Sequence, residues 1–293
     1  TDFVLEGKVY HAPAGVAHYL EHKMFDLPGD RDVSAEFAGM GAMTNAFTSY
    51  DMTAYYFSCT ENFENCLKLL LEFVSTPYFT PESVEKEQGI IGQEIRMYDD
   101  NVDWRMLFAL CDCLYEHHPI RSDIAGTVES ISHITAETLY DCHKAFYTPS
   151  NMVLTVVGNV DPVHVVDMAK RILPREKAEP ILRDYGTEPA AVAEKETKLA
   201  MEVSSPQFLT GFKCDSVENG EAYMRQALIG DIACDILLGD SSPLYLRLYD
   251  QGLINTSFGG AYEMMPGVAY LYAGGDSKDA RTVVDEILKE SRR

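Results

Sequence analysis

Residues 15–24, G-V-A-H-Y-L-E-H-K-M, are the stretch around which the chain is organised. If this stretch is helical, His18 and His22 lie one turn apart on one face, with Glu21 directly before the second histidine. Two imidazoles and a carboxylate then converge on one point. Two histidines supply half of a tetrahedral zinc shell and leave positions for one more protein ligand and a water, for which Glu21 is the natural base.

The His-x-x-Glu-His pentad alone is also compatible with a surface helix that carries two solvated histidines, so a third ligand decides between the two interpretations. A candidate lies in S-V-E-K-E-Q-G-I-I-G-Q-E-I-R-M-Y-D-D, residues 83–100. Glu87, Ile91 and Glu94 follow i, i+4, i+7 spacing and share one helical face. Both acids can therefore face the same site, one as a ligand and the other as its support.

The pentad and the glutamate 72 residues after it, the second of an E-x-x-x-x-x-x-E pair, resemble the pitrilysin/insulinase family of zinc metallopeptidases, whose motif is of the inverzincin type. The wording H-Y-L-E-H-K-M-F and G-I-I-G-Q-E-I-R-M-Y-D-D is similar to that of a bacterial processing-peptidase-like subgroup. The resemblance implies one Zn²⁺ per chain. It assigns the metal ligands to His18, His22 and Glu94, the general base to Glu21, and the supporting acid of the catalytic centre to Glu87.

The resemblance also implies the fold: α+β, with two tandem homologous domains, each a mostly antiparallel sheet packed with helices, as in the mitochondrial processing peptidase-like (LuxS-like) metallohydrolase fold. We expect a catalytic domain at 1–174, a linker at 175–198 and a second, non-catalytic domain at 199–293. All eight histidines precede residue 165, so the second domain cannot rebuild the pentad. Residues 1–11 are too short for the strands expected before the metal helix. We therefore expect strands to be missing at the N-terminus, and the second domain to be C-terminally incomplete.

Several local patterns predict secondary structure. Residues 42–59 form two β-rich runs around a turn near Tyr50 and Asp51, which indicates a hairpin. The resemblance implies that Asn45, Ala46 and Phe47 bind substrate by strand addition, although an ordinary half-buried strand shows the same alternation. Residues 147–162 are predicted as a buried strand closed by a glycine. Apolar periodicity and capping residues predict helices at 33–40, 61–75, 104–115, 221–238, 243–251 and 278–290, and strands at 201–212 and near residues 255 and 268.

Composition limits the function classes. A net charge of −22 argues against nucleic acid, because a phosphate-binding surface needs clustered Lys and Arg. An acidic wall would attract basic or extended peptides, but solubility alone also explains this charge. No long apolar run predicts a membrane span, and no signal peptide is visible. The seven cysteines have no paired spacing and are interpreted as buried thiols of a reducing cytoplasm.

One departure from the family pattern concerns substrate binding. In single-chain members the far half of the enzyme supplies an Arg and, seven residues later, a Tyr. The stretch L-R-L-Y-D-Q-G-L-I keeps Arg247 but has Ile254 in place of the Tyr. We therefore expect a homo- or heterodimer in which a same-fold chain supplies the Arg/Tyr pair.

The predicted function is that of a zinc-dependent metalloendopeptidase acting on peptides or on unfolded or precursor segments. Two alternatives stay open: a catalytically silent scaffold subunit of the same fold, and a metal-binding regulator without hydrolase activity. The intact Glu21 argues against both, because neither needs a base. The sequence also leaves open whether manganese or cobalt replaces zinc.

Overall fold

The computed structural model describes residues 2–29, 31–175, 181, 183–217 and 220–292. Its strands are β1 (Asp2–Leu5), β2 (Lys8–His11), β3 (Asp26–Leu27), β4 (Arg31–Asp32), β5 (Met43–Thr48), β6 (Thr53–Ser58), β7 (Gln207–Lys213), β8 (Gly259–Met265) and β9 (Val268–Asp276). Its helices are α1 (Val16–Lys23), α2 (Val33–Gly39), α3 (Phe63–Ser75), α4 (Pro81–Asp99), α5 (Val102–Leu114), α6 (Val128–Ile131), α7 (Ala136–Phe146), α8 (Pro162–Ile172), α9 (Gly220–Leu238), α10 (Pro243–Asp250) and α11 (Ala280–Glu290). The strand pairing is antiparallel, and the predicted α+β class is confirmed. Among the described residues, no helix is both long enough and apolar enough to cross a membrane.

The chain divides into two compact units, which are described separately. Unit 1 comprises Thr1–Met97 and Ser122–Arg183, and unit 2 comprises Tyr98–Arg121 and Asp184–Arg293. The sequence analysis placed residues 98–121 in the first domain, whereas α5 packs on β7 in unit 2. The assignment of residues 98–121 to unit 2 depends on tertiary contacts, such as the hydrogen bond of 3.1 Å from the Tyr115 hydroxyl to the Ala269 carbonyl. The domain limits at 174 and 199 stay predictions.

In unit 1, helix α1 is held in place at both ends. Gly15 precedes it with a left-handed φ of 88°, and a Cβ there would lie 2.4 Å from the Ala125 carbonyl oxygen, so only glycine fits. The fully buried Tyr19 donates a hydrogen bond to the carbonyl oxygen of Val84 in α4. Lys23 is only 1% exposed, and its ammonium pairs with a nearby aspartate and donates to a carbonyl at the start of α4. These contacts fix α1 against α4.

Strands β5 and β6 form the predicted hairpin, with Thr48 opposite Thr53 at its closed end. Exposure alternates along β5: Met43, Asn45 and Phe47 lie on the exposed face and the intervening residues are half-buried. Helix α1 packs against β5. Within the described residues β5 pairs only with β6, so its other edge has no strand beside it.

The predicted buried strand at 147–162 is wrong. Residues 149–151 form a 3-10 turn, and residues 152–157 are assigned to no strand. Val153 and Val157 are 92% and 95% exposed. An apolar, β-branched run favours an extended backbone, but a strand also needs a hydrogen-bonded neighbour, and no described segment pairs with this one.

Residues 2–11 also differ from the prediction. They form the antiparallel hairpin β1–β2, which the sequence analysis did not predict. Its turn places Glu6 and Gly7 at positive φ, a feature carried by two residues and not by any apolar period. Strands β3 and β4, of two residues each, pair within residues 26–32.

Unit 2 is built on a three-stranded sheet in the order β7-β9-β8. Helix α9 packs on β8, α10 packs on α9 and α11, and α5 covers β7. The core is formed by apolar side chains from α9, α10, α11 and β9, including Leu238, Leu244, Leu248, Ala273 and Val283. The helices predicted at 221–238, 243–251 and 278–290 are confirmed to within two residues at each end.

The predicted linker is anchored to unit 2 through the buried side chain of Glu188. Residues 176–180 and 182 lie outside the described residues, and the described part has no helix or strand. Glu188, with a side chain 11% exposed, accepts the backbone N–H groups of Glu116, His117 and His118 at 2.6, 2.9 and 3.0 Å. Lys213 Nζ lies 3.1 Å from the same carboxylate. Burial alone would raise the pKa of Glu188, but these hydrogen bonds lower it to about 2.

We expect Glu188 to stabilise unit 2 in a pH-dependent way. Because the folded pKa is depressed from 4.5, the stabilisation is present above pH 4.5 and is lost as the pH falls toward 2. Glu188→Gln should therefore lower the free energy of unfolding by about 2–4 kcal/mol at pH 7. Urea denaturation of both proteins at pH 7 and pH 3 should show this difference shrinking at the lower pH. The control is Glu196→Gln, which removes an exposed pair with Lys198. A Glu188 effect that is equal at both pH values would contradict the assignment.

Candidate metal centre

Helices α1 and α4 bring three side chains of unit 1 to one point. His18 Nε2 lies 3.7 Å from one oxygen of Glu94, and His22 Nε2 lies 3.4 Å from the other. One ligand atom from each residue falls within 4.8 Å of the other two. In a tetrahedral zinc shell with bonds of about 2.0–2.1 Å, ligand atoms lie about 3.3–3.4 Å apart. The triad therefore has nearly the dimensions of a divalent metal site.

Glu87, two helical turns before Glu94 on α4, hydrogen-bonds to the other ring nitrogen of His22. Its Oε1 lies 3.1 Å from His22 Nδ1. When a metal replaces the Nε2 proton, an Nδ1–H donated to this carboxylate keeps Nε2 directed toward the Glu94 side, which is the tautomer that a metal ligand needs. The hydrogen bond from His22 also lowers the pKa of Glu87, so that carboxylate stays charged.

The two histidines have different electrostatic environments. Burial would lower the pKa of His22, but its hydrogen bonds to Glu87 and Glu94 and the charges of both acids raise it to about 9. Burial lowers the pKa of His18, and the neighbouring His22 lowers it further. His18 is then neutral at pH 7, the form that binds a metal. The negative charges of Glu87 and Glu94 next to His22 make the site attractive to a positive ion.

Glu21 lies on α1 beside the triad but does not belong to it. The side chain is 8% exposed, and its Oε2 accepts a hydrogen bond of 2.7 Å from the Thr48 hydroxyl at the end of β5. Burial raises the pKa of Glu21, against the lowering effect of this hydrogen bond. A buried carboxylate with a raised pKa next to a metal site is suited to accept and return a proton.

The residues predicted to bind substrate lie on β5. Asn45 and Phe47 are on its exposed face, and Phe47 is 48% exposed. Ala46 is half-buried, and its backbone N–H donates to the Asn45 side chain. Their contact with a substrate stays a prediction.

Sequence reasoning missed Thr48, the hydrogen-bond donor to Glu21. A threonine at the end of a strand carries no signal of its own. The only clue was its position next to the predicted hairpin turn, which fixes Thr53 opposite it. The contact between Thr48 and Glu21 depends on how the hairpin packs on α1. The periodicity of the sequence contains no information on this packing.

We expect Glu87→Ala to weaken metal binding without abolishing it. Loss of a carboxylate that orients a ligating histidine typically lowers metal affinity by about 10–100-fold. Competition with a chromophoric chelator would measure this. Glu85→Ala, an exposed position on the same helix, is the matched control and should keep the wild-type affinity. Wild-type affinity in Glu87→Ala would rule out its role as support.

The fold and the site define an α+β protein with a His-His-Glu centre carried on two helices. The model of the insulinase family (peptidase family M16) matches residues 4–128, and that of the peptidase M16 inactive domain matches residues 133–293. The chain belongs to the insulinase (peptidase M16) family, as the resemblance of its motifs predicted.

Individual relatives agree with this assignment. The uncharacterized zinc protease YmfH of Bacillus subtilis is 43% identical over 291 residues, which covers 97% of this chain and 68% of that protein. The probable mitochondrial-processing peptidase subunit beta of Arabidopsis thaliana is 27% identical over 63% of this chain and 36% of its own length. A putative M16-like peptidase from Alicyclobacillus acidocaldarius superimposes with a TM-score of 0.93 at 38% identity, covering 99% of this chain and 70% of that one.

Proposed function

We propose that this chain carries the catalytic centre of a zinc-dependent metalloendopeptidase that hydrolyses peptide bonds in peptides or in unfolded or precursor segments. The observation that carries the proposal is the convergence of His18, His22 and Glu94 beside the buried carboxylate of Glu21. Several relatives are named zinc proteases, which supports the choice of metal and of reaction.

The three ligand side chains would hold the ion, and Glu87 would keep His22 in the ligating tautomer. When bound, zinc supplies Lewis acidity that polarises a carbonyl and lowers the pKa of a water. Glu21 accepts a proton from the water while the oxygen of that water attacks the peptide carbonyl carbon. Glu21 then gives that proton to the leaving nitrogen as the C–N bond breaks, so it ends the cycle ionised.

The free edge of β5 is the observation that favours an extended peptide as the substrate. A peptide that adds to this edge as a strand would form backbone hydrogen bonds there and meet Asn45, Ala46 and Phe47. Backbone pairing of this kind requires an extended segment, which folded proteins seldom offer. This favours peptides and unfolded segments as substrates.

A cleavage assay tests the proposal. The protein is incubated with an unstructured peptide mixture, with and without a chelator, and zinc is then added back. We expect hydrolysis that stops with chelator and returns with zinc. Peptide binding without hydrolysis in the zinc-loaded protein would favour a scaffold subunit. The observation that favours a scaffold subunit is the match of residues 133–293 to the model of the peptidase M16 inactive domain.

We further propose a dimer with a same-fold chain that supplies an Arg/Tyr substrate-binding pair. Arg247 Nη2 pairs with Glu286 and Glu290 at 3.2 and 2.8 Å, and Ile254 is 5% exposed in the core of unit 2. Both side chains are engaged within unit 2, Arg247 by ion pairs and Ile254 by packing. Full zinc-dependent activity in a sample that light scattering shows to be monomeric would contradict the dimer.

The seven free cysteines support a cytoplasmic location for this activity.

A further inference from the structure

A series of hydroxyl groups leads away from Glu21 into unit 1. The Thr48 hydroxyl lies 2.7 Å from Glu21 Oε2 and 3.2 Å from the hydroxyl of Thr53, its partner across the hairpin. The hydroxyls of Thr48 and Thr53 thus form a connected row that terminates on the carboxylate. The phenols of Tyr55 and Tyr147, 2.7 Å apart, form a second hydroxyl pair in unit 1.

The direction of these hydrogen bonds follows from counting hydrogens. Each hydroxyl has one hydrogen, and an ionised carboxylate can only accept. Thr48 therefore donates to Glu21 and must accept from Thr53. Both hydrogens point toward the carboxylate, and hydrogen bonds aligned in this way polarise and strengthen one another.

Packing holds β6, the strand that carries both Thr53 and Tyr55, in place. The ring of Tyr147 stacks on His143, with centroids 4.7 Å apart, and His143 Nε2 is 2.9 Å from the Val74 carbonyl oxygen. The ring of Tyr55 packs against Phe25 and Phe73. Burial raises the phenol pKa of Tyr55 and of Tyr147, so both keep their hydrogens at neutral pH.

We propose that this row of hydroxyls positions Glu21 by occupying Oε2 as a fixed acceptor, so that Oε1 alone exchanges the proton with water and with the leaving amine. Within the described residues Oε1 has no hydrogen-bond partner. Thr48 is the positioning residue in direct contact, and Thr53 acts through it. The inference rests on the proposed function, because it assigns a task to the base of that reaction.

Kinetics of two substitutions at one position test the inference. Thr48→Val keeps the β-branched shape and removes the hydroxyl, whereas Thr48→Ser keeps the hydroxyl. On a peptide that the wild type cleaves, Thr48→Val should lower kcat by about 10–100-fold with little change in KM or zinc content, a loss typical of a mispositioned catalytic group. Thr48→Ser should restore most of the rate. Thr53→Val, which removes the hydroxyl that donates to Thr48, should lower kcat by a smaller factor.

Crystal structures supply a measurement that needs no activity. We expect the Glu21 carboxylate to be rotated or split between conformers in Thr48→Val and to keep its single orientation in Thr48→Ser. Wild-type kcat in Thr48→Val, an equal loss in the valine and serine variants, or an unmoved Glu21 would overturn the inference. If the wild type itself cleaves no peptide, the proposed function fails, whereas the orientation of Glu21 in the two variants still decides the role of the hydroxyls.

Discussion

Glu21→Gln is expected to keep the wild-type zinc content and to lose peptide hydrolysis by about 10²–10⁴-fold, the usual contribution of a general base. The amide has nearly the same shape as the carboxyl and still accepts a hydrogen bond from Thr48, so α1 should pack unchanged. It cannot take a proton from water at neutral pH. Elemental analysis and steady-state cleavage of a peptide measure the two quantities on one sample.

The comparison variant for this prediction is His22→Ala, on the next residue of the same helix. It removes a ligand and should lose both zinc and hydrolysis. The roles assigned to the two residues would be wrong if Glu21→Gln released the metal as readily as His22→Ala. They would also be wrong if Glu21→Gln cleaved peptide at the wild-type rate.

Glu94→Ala is expected to reduce zinc from about one ion per chain to a small fraction of that, and hydrolysis with it. Glu94 is the only described acid with an oxygen close to both histidines, at 3.7 and 3.4 Å. Two imidazoles on one helix cannot fill a tetrahedral shell, so the site loses its closing ligand. Elemental analysis after dialysis against metal-free buffer measures the loss.

The control for Glu94→Ala is Glu85→Ala, which removes an equal charge from the exposed face of α4 and should leave the zinc content unchanged. Glu87→Ala should fall between the two, because it weakens one ligand without removing it. Retention of one zinc per chain in Glu94→Ala would exclude Glu94 as the third ligand. Loss of zinc in Glu85→Ala would show that net charge, and not coordination, determines binding.

The parts of the site that the sequence predicted are those carried by single helices. His18 and His22 lie one turn apart on α1, and Glu87 and Glu94 lie two turns apart on α4, so the 3.6-residue period places each pair on one face. Neither helical pattern showed that α1 and α4 face each other. It followed from the family resemblance, and physically it depends on Tyr19 and Lys23, whose buried polar ends bond to the start of α4.

The parts that sequence analysis missed depend on contacts between distant segments. Thr48 reaches Glu21 only through the packing of the β5–β6 hairpin on α1, and Tyr147 reaches Tyr55 across 92 residues. Residues 152–157 have the composition of a strand but lack a neighbour among the described segments. Glu188 reads as one more charge in a polar linker, yet its four hydrogen-bond donors hold that segment against unit 2. Local periodicity contains none of this information.

X-ray absorption at the zinc edge, on a sample with chelator-sensitive cleavage, tests the central claim most directly. The account predicts two imidazole nitrogens at about 2.0–2.1 Å and oxygen at about 2.0–2.2 Å, without sulfur. This spectrum should be lost in Glu94→Ala and kept in Glu21→Gln. A shell with sulfur at about 2.3 Å, or one of oxygens alone, would place the metal elsewhere and would contradict the assignment of His18, His22 and Glu94.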